Sequence, residues 1–486
     1  MKPRDPILQA FELLLRRRPQ APLVVSPERR ATLGDVDALS RAAGSVLAER
    51  ALAPGALVGL AAANGPGFLA SFLALRRAGL AVLLLDAQTP ETEARRILRA
   101  LGASALLRCP AGWPQGPDGW SLRSFETAET PGEGTTTSLS AIFPATFPDI
   151  SLAAPGIAVV KLTSGSTGTP RGIATPAEAL MADDAALTAT MGLSGEDRLL
   201  TTIPLSHSYG LSSLALPALV RGAVLAIPEE SGVYDPFVTA ERTGAAFFPT
   251  VPAYLDALVR MSDPPPRPAC LRLVITAGAP LSAATSARFR ERFGLPVHVF
   301  YGSSECGGIC YDREGGAAER GTVGAPVEGV QILLEEGAVT VESPAVALGY
   351  VPDPDERLAG GRFRAGDLAA WQDGELALRG RIDDLVNIKG KKVNPREVEA
   401  ILRGLAGVDD AAVLGMPAPG HEGEMLRAVV ACEPGRLTAG DIVSWCRSHL
   451  SAHKVPRSVL LVEALPRNAR GKLDRAALRG PGASRG

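Results

Sequence analysis

Short apolar runs and amphipathic stretches alternate along the first hundred residues. Ile7, Phe11, Leu14 and Leu15 recur at helical spacing and predict a helix over 7–17. Thr32-Leu33-Gly34-Asp35 reads as a helix start, with Asp35 and Ser40 among polar positions before Ala42, Val46 and Leu47. Ala56-Leu57-Val58-Gly59-Leu60 is a candidate buried strand, followed by a helical pattern over 66–78. Ala81-Val82-Leu83-Leu84-Leu85 predicts a second strand, 91–101 a helix, and Ala105-Leu106-Leu107 a third strand. Strands that alternate with helices imply parallel sheet and an α/β class.

Residues 109–155 break this rhythm. They are rich in Pro, Gly, Ser and Thr and read as a long surface connection. Strand-like runs resume at 157–162, 223–227, 273–275 and 297–300. From about residue 320 the texture turns toward antiparallel β, with a hairpin predicted over 330–341 and a β candidate at 375–378. A polar segment at 380–392 precedes a helix over 395–402, opened by Asn394 and Pro395. Residues 408–416 and 428–432 are strand-like, and 441–450 helical. The expected architecture is α/β. A large N-terminal domain carries mostly parallel sheets flanked by helices, plus a β-rich subdomain. A small, mobile α+β domain starts at about 382, and 480–486 is read as a disordered tail.

The 486 residues allow a large core and more than one domain. Hydrophobic residues make up 46% and charged residues 21%, an ordinary soluble balance. A net charge of −2 and the lack of like-charge runs point to neither nucleic acid nor a membrane surface. The longest uncharged stretch, 199–220, is interrupted by Pro204, His207, Pro217 and several serines. It reads as buried core rather than a membrane span. Six cysteines are too scattered for a disulfide framework, and Cys306 and Cys310 lack a second Cys/His pair for zinc. A reducing, cytoplasmic setting fits best.

Candidate chemistry begins where the strand 157–162 ends. Residues 163–172 (Thr163-Ser164-Gly165-Ser166-Thr167-Gly168-Thr169-Pro170-Arg171-Gly172) hold three glycines, five hydroxyl side chains and one cation. Glycine lets the backbone approach an anion. Hydroxyls and backbone N–H groups donate to phosphate oxygens, and Arg171 adds charge-assisted bonds. The Gly-Lys-Ser/Thr ending of a Walker A loop is missing. On its own the segment shows only that phosphate can bind.

The stretch closely resembles the signature loop of the acyl-adenylate-forming superfamily: acyl-CoA synthetases, peptide-synthetase adenylation domains and luciferases. That family usually has Lys where Arg171 stands. The resemblance continues in the family's order. Residues 203–210 look like the segment carrying an aromatic or His gate, here His207 and Tyr209, beside the acyl pocket. Gly278 and Ala279 resemble the backbone shelf beside adenine. Tyr301-Gly302-Ser303-Ser304-Glu305 resembles the motif whose aromatic ring stacks on adenine, whose hydroxyl serves the α-phosphate and whose Glu holds Mg²⁺. Thr167 is the second residue implied near the metal.

Asp367 resembles the residue that accepts both ribose hydroxyls. Arg381 would contact the nucleotide and Asp383 would be the hinge, with Lys389 and Gly390 continuing that segment. Lys472 resembles the lysine that reaches into the site for adenylation. The resemblance therefore implies a nucleotide- and acyl-binding domain over 1–381 and a mobile catalytic-lysine domain over 382–479. It implies ATP, Mg²⁺ and coenzyme A, or a carrier-protein phosphopantetheine in place of coenzyme A.

The acid is less constrained. No acidic residue follows the gate over 209–216, which argues against an α-amino acid. Gly307, Gly308 and Ile309 suggest an apolar pocket floor with room for depth, and Phe247, Val251, Gly278 and Gly302 are further pocket candidates. The expected partners are a fatty or aromatic acid, ATP and CoA, with an acyl carrier protein as the alternative acceptor. Neither nucleic acid nor stable membrane insertion is expected.

Overall fold

The computed structural model describes residues 5–124, 156–163, 171–229, 232–382, 385–388, 391–417, 424–467 and 473–479. The chain forms two compact units, Met1–Ile332 with Val341–Arg364, and Leu333–Thr340 with Ala365–Gly486.

The first unit is built on two sheets. A seven-stranded sheet runs in the order Gly349–Val351, Arg171–Pro176, Ile157–Thr163, Ala81–Leu85, Leu57–Ala62, Ala105–Cys109, Ser121–Ser124. Its four middle strands, Ile157–Thr163 through Ala105–Cys109, are parallel, and the flanking ones antiparallel. Leu57–Ala62 and Ala81–Leu85 are buried at every position. Both faces of a parallel sheet are covered, so such strands read as unbroken apolar runs. The helix Leu33–Ala48 starts where the sequence indicates. Thr32 accepts from the Asp35 N–H, and the Asp35 carboxylate accepts in return from the Thr32 N–H.

The second sheet has nine strands. Val297–Ser303, Leu273–Thr276, Phe247–Thr250, Arg198–Leu200, Val224–Ala226 and Pro22–Val25 form its parallel centre. Gly307–Tyr311 and Ala325–Pro326 extend one edge and Arg30–Thr32 the other, all antiparallel. Phe237, Phe248, Phe289 and Phe293 pack together on one face. The uncharged stretch after residue 199 folds into this unit as a buried helix with a π turn at Leu211–Ala215. Among the described residues no helix is long and apolar enough to cross a membrane.

One expectation needs correction. The long connection at 109–155 is not structureless from its start. Ser121–Ser124 pairs with Ala105–Cys109, and the buried Trp120 donates its indole N–H to Ser71 at 2.7 Å. Its periodicity is too short to read, and its pairing edge is the strand just before it in the sequence. Around the polar segment 380–392, Val386–Ile388 pairs antiparallel with Lys391–Val393. The register places Val386 opposite Val393, and both are buried in a local apolar cluster that the polar flanks hide in sequence.

The expected hairpin near 335 is present as Gln331–Glu335 and Ala338–Glu342. Glu336 and Gly337 both take positive φ, 52° and 81°, which suits a two-residue hairpin turn. The second unit also contains a sheet of Asp410–Pro417, Glu424–Ala431 and Ser458–Val462. The helix Pro395–Arg403 packs on it through Val398 and Leu402, and Asn394 caps it by accepting from the Arg396 N–H.

Candidate active site

In open parallel sheets, ligands bind beyond the carboxyl ends of the strands. Here those ends of the two sheets are tied together. Asn64, just past Leu57–Ala62, donates to the Ile203 carbonyl at 3.1 Å and accepts from the Leu205 N–H at 2.9 Å. Asp86, just past Ala81–Leu85, lies 3.7 Å from His207 Nε2. Lys161 Nζ, near the end of Ile157–Thr163, donates to the Ser304 carbonyl at 3.0 Å. Ser208 donates to the Ser304 hydroxyl at 2.7 Å.

The Ser304–Glu305 segment sits in the turn between Val297–Ser303 and Gly307–Tyr311. Its polar groups are held one by one. Beyond the two contacts on Ser304, the Glu305 carbonyl accepts from the Ala347 N–H at 2.8 Å. Glu305 Oε1 accepts from the Tyr350 hydroxyl at 2.9 Å. The turn is anchored from below by Asp183, whose Oδ1 accepts from the Gly308 N–H at 3.0 Å. Cys306 is buried beside it, and burial pushes its thiol up to about 12, so it stays a thiol at neutral pH.

The glycines after this turn serve a different purpose from the one their size suggests. A Cβ on Gly307 would stand 2.2 Å from Asp183 Oδ1, and its φ is +71°. One on Gly308 would stand 2.6 Å from Leu187. The space is taken by the helix Ala177–Met191, so the expected pocket depth at these two positions is close packing instead. Ile309 is fully buried.

Arg171 opens the strand Arg171–Pro176. Its guanidinium lies 4.1 Å from the centre of the Tyr350 ring, 3.5 Å from the Asp355 carboxylate, and donates to the Asp353 carbonyl at 3.1 Å. Its Nε is buried and has no hydrogen-bond partner among the described residues. Asp355 is also held by Arg357, whose guanidinium lowers its carboxyl to about 2. The cation that sequence reading assigns to phosphate is therefore already stacked on the residue that orients Glu305.

The other expected site residues take the following places. Gly278 and Ala279 follow the end of Leu273–Thr276, with Gly278 exposed at φ +83° and nothing within 4 Å of a Cβ built there. Tyr301 and Ser303 are half-buried and Gly302 is exposed. Tyr209 packs its ring 5.8 Å from Phe300 and bonds the Ile275 carbonyl. Phe247 is fully buried within its strand, and Val251 begins the next helix as its cap residue. Thr163 pairs with Arg171 across the base of the loop. Ser164, Gly165, Ser166, Thr167, Gly168, Asp383, Lys389, Gly390 and Lys472 lie outside the described residues.

In the second unit, Asp367 and Arg381 are register partners on adjacent strands, with their charged groups 3.9 Å apart. The residues implied to hold ribose and nucleotide are thus side by side.

Sequence reading missed Asn64, Asp86, Lys161, Asp183, Tyr350 and Asp355. Two of these carried a readable signal: Lys161 interrupts an apolar strand, and Asp183-Asp184 sits in an Ala/Leu-rich helix.

An aromatic–Ser–Glu turn at the carboxyl end of a parallel strand, with a glycine- and hydroxyl-rich stretch earlier in the sequence, fits a nucleotide-dependent acid-activating enzyme. Residues 11–351 match the AMP-binding enzyme model and 397–472 that of the AMP-binding enzyme C-terminal domain; the chain belongs to this family. It is 29% identical to a feruloyl-CoA synthase of Amycolatopsis over 429 residues, 84% of this chain and 80% of the relative. Its fold matches ATP-bound MatB of Rhodopseudomonas palustris with a TM-score of 0.78 at 23% identity, covering 97% and 98% of the two chains. It matches the amide bond synthetase McbA of Marinactinospora thermotolerans with a TM-score of 0.77 at 25% identity, covering 98% and 99%.

Proposed function

We propose that this protein activates a carboxylic acid with ATP to an acyl-adenylate, releasing pyrophosphate, and passes the acyl group to the thiol of coenzyme A. The observation that carries the reading is the Ser304–Glu305 turn, held on Lys161, Ser208, Ala347 and Tyr350 at the joined carboxyl ends of two parallel sheets. Family membership over both AMP-binding segments supports it.

A carboxylate is a poor acyl donor because its leaving group is oxide. In the first step a carboxylate oxygen forms a bond to the α-phosphorus of ATP while the bond to the bridging oxygen breaks and pyrophosphate leaves. In the second step the thiol sulfur bonds to the acyl carbon, AMP leaves, and the thiol proton goes to solvent. Two anions meet in the first step, so the site must supply charge and fixed dipoles.

Thr163, the 164–168 loop and Arg171 are read as the phosphate grip, and Lys472 as the cation that bridges the carboxylate and the α-phosphate. The Ser304 hydroxyl is read as a donor to the α-phosphate. Tyr301 and the Gly278–Ala279 shelf are read as the adenine site, and Asp367 and Arg381 as the ribose and nucleotide contacts. Glu305 fits Mg²⁺ by its chemistry: one oxygen is fixed by Tyr350, and a carboxylate is the hard donor this ion prefers. Bound there with the nucleotide, the ion would neutralise phosphate charge.

A fatty or aromatic acid is proposed as substrate. The Tyr209–Phe300 ring contact next to His207 is suited to such a group, and no acidic residue stands in the gate helix to pair with an amine. The test is pyrophosphate release across a panel of fatty, aryl and amino acids, with and without CoA. CoA-dependent thioester from a fatty or aryl acid supports the reading. Adenylate that stalls until a carrier protein or an amine is supplied replaces the acceptor. Absence of release with every acid overturns it.

A further inference from the structure

Lys161 stands in an otherwise apolar strand, between Val159-Val160 and Leu162. It is 3% exposed, and burial lowers its pKa. Asp183, 3% exposed and itself raised by burial, and Glu305 act against that lowering by opposite charge. Burying a lysine in a sheet forfeits the hydration of its ammonium unless its partners repay it. A valine or leucine, like its neighbours, would fill the strand without that cost. A local rule broken this way points to a use.

The contacts show what the use is. Lys161 grips the Ser304 carbonyl from the seven-stranded sheet. Asp183 grips the Gly308 N–H from the helix Ala177–Met191, and its second carboxylate oxygen is buried with no hydrogen-bond partner among the described residues. The turn that presents the Ser304 hydroxyl and the Glu305 carboxylate is therefore clamped at both ends by one buried cation and one buried anion. Both come from outside the nine-stranded sheet to which the turn belongs.

We infer that Lys161, backed by Asp183, is a positioning residue for adenylation: through the Ser304 carbonyl it fixes the direction of the Ser304 hydroxyl and the Glu305 carboxylate. This rests on the function proposed above. Displacing reacting groups by about 1 Å costs up to roughly 10²-fold in rate. The clamp acts on groups that meet the α-phosphate and its cation, so it governs turnover and magnesium-dependent nucleotide binding rather than affinity for the acid.

Lys161→Met and the double variant Lys161→Met/Asp183→Asn separate positioning from charge balance. The double variant removes both buried charges, and the amide oxygen that Asp183→Asn introduces can still accept from the Gly308 N–H. Two readouts are used: acid-dependent ATP–pyrophosphate exchange, and calorimetric titration of ATP with and without Mg²⁺. Expected is a double variant that melts near the parent, exchanges roughly 10–10²-fold more slowly at saturating substrates, keeps KM for the acid, and loses much of the magnesium-dependent gain in ATP affinity. A double variant with parental exchange and an undiminished magnesium effect overturns the inference and reduces Lys161 to a counter-ion for Asp183. If the single variant unfolds, the double variant decides. If the parent protein exchanges with no acid, the functional reading fails, and the ATP titration alone still decides for or against the clamp.

Discussion

Arg171 stands where the family usually has lysine, and replacing it by lysine and by methionine separates two roles. Its stacking on Tyr350 at 4.1 Å is worth about 0.5–2 kcal/mol. The pair with Asp355 at 3.5 Å is partly solvated and adds at most about 1 kcal/mol. Against these, the buried Nε, unpartnered among the described residues, costs about 1–3 kcal/mol. The terms nearly cancel, so neither substitution is expected to move the melting temperature by more than a few degrees, at about 2–4 °C per kcal/mol. Catalysis should behave differently. Losing a charge that stabilises the transition state costs about 2.7–4 kcal/mol, or roughly 10²–10³ in rate. Arg171→Met should therefore lose about that much in ATP–pyrophosphate exchange, while Arg171→Lys, which keeps the charge, should stay within about tenfold of the parent. Thermal denaturation beside exchange kinetics makes the comparison. A methionine variant that keeps full exchange would refute a phosphate role for Arg171. A lysine variant that collapses with its fold intact would show that the fork on Tyr350 and Asp355, not the charge, is what the site needs.

Gly307→Ala should lose adenylation and melt several degrees lower, because its methyl would stand 2.2 Å from the Asp183 carboxylate in a left-handed conformation; parental melting and exchange would show that the helix can yield. Lys472→Ala should abolish acid-dependent exchange yet spare thioester formation from supplied acyl-adenylate, and equal loss of both half-reactions would argue against a role confined to the first step. Of the six cysteines, only Cys270 is partly exposed, and burial pushes Cys109 up to about 12 and Cys446 to about 11. Iodoacetamide at pH 8, read by intact mass, should add one label to the native protein and six in denaturant, since the thiolate is the reactive form.

The sequence by itself determined the elements with strong local signals. Leu57–Ala62 and Ala81–Leu85 are unbroken apolar runs because both faces of a parallel strand are covered. The helix at Leu33 starts at Thr32 because Thr32 and Asp35 satisfy each other's backbone donors across a single turn. The family was legible because the stretches that resemble its phosphate, adenine and ribose motifs are short and contiguous: 163–172, 301–305 and 366–367.

Only the tertiary structure decided what holds those stretches. Lys161 and Ser304 are 143 residues apart, Gly308 and Asp183 are 125 apart, and Tyr350 and Glu305 are 45 apart. A hydrogen bond between distant segments leaves no period in the chain, so neither end advertises its partner. The same limit misled the reading of Gly307 and Gly308. A missing side chain states that something comes close, and whether that is an acyl chain or a buried carboxylate depends on which helix the fold lays against it. Local patterning chose the chemistry of this site; long-range packing, through one buried lysine and one buried aspartate, set its geometry.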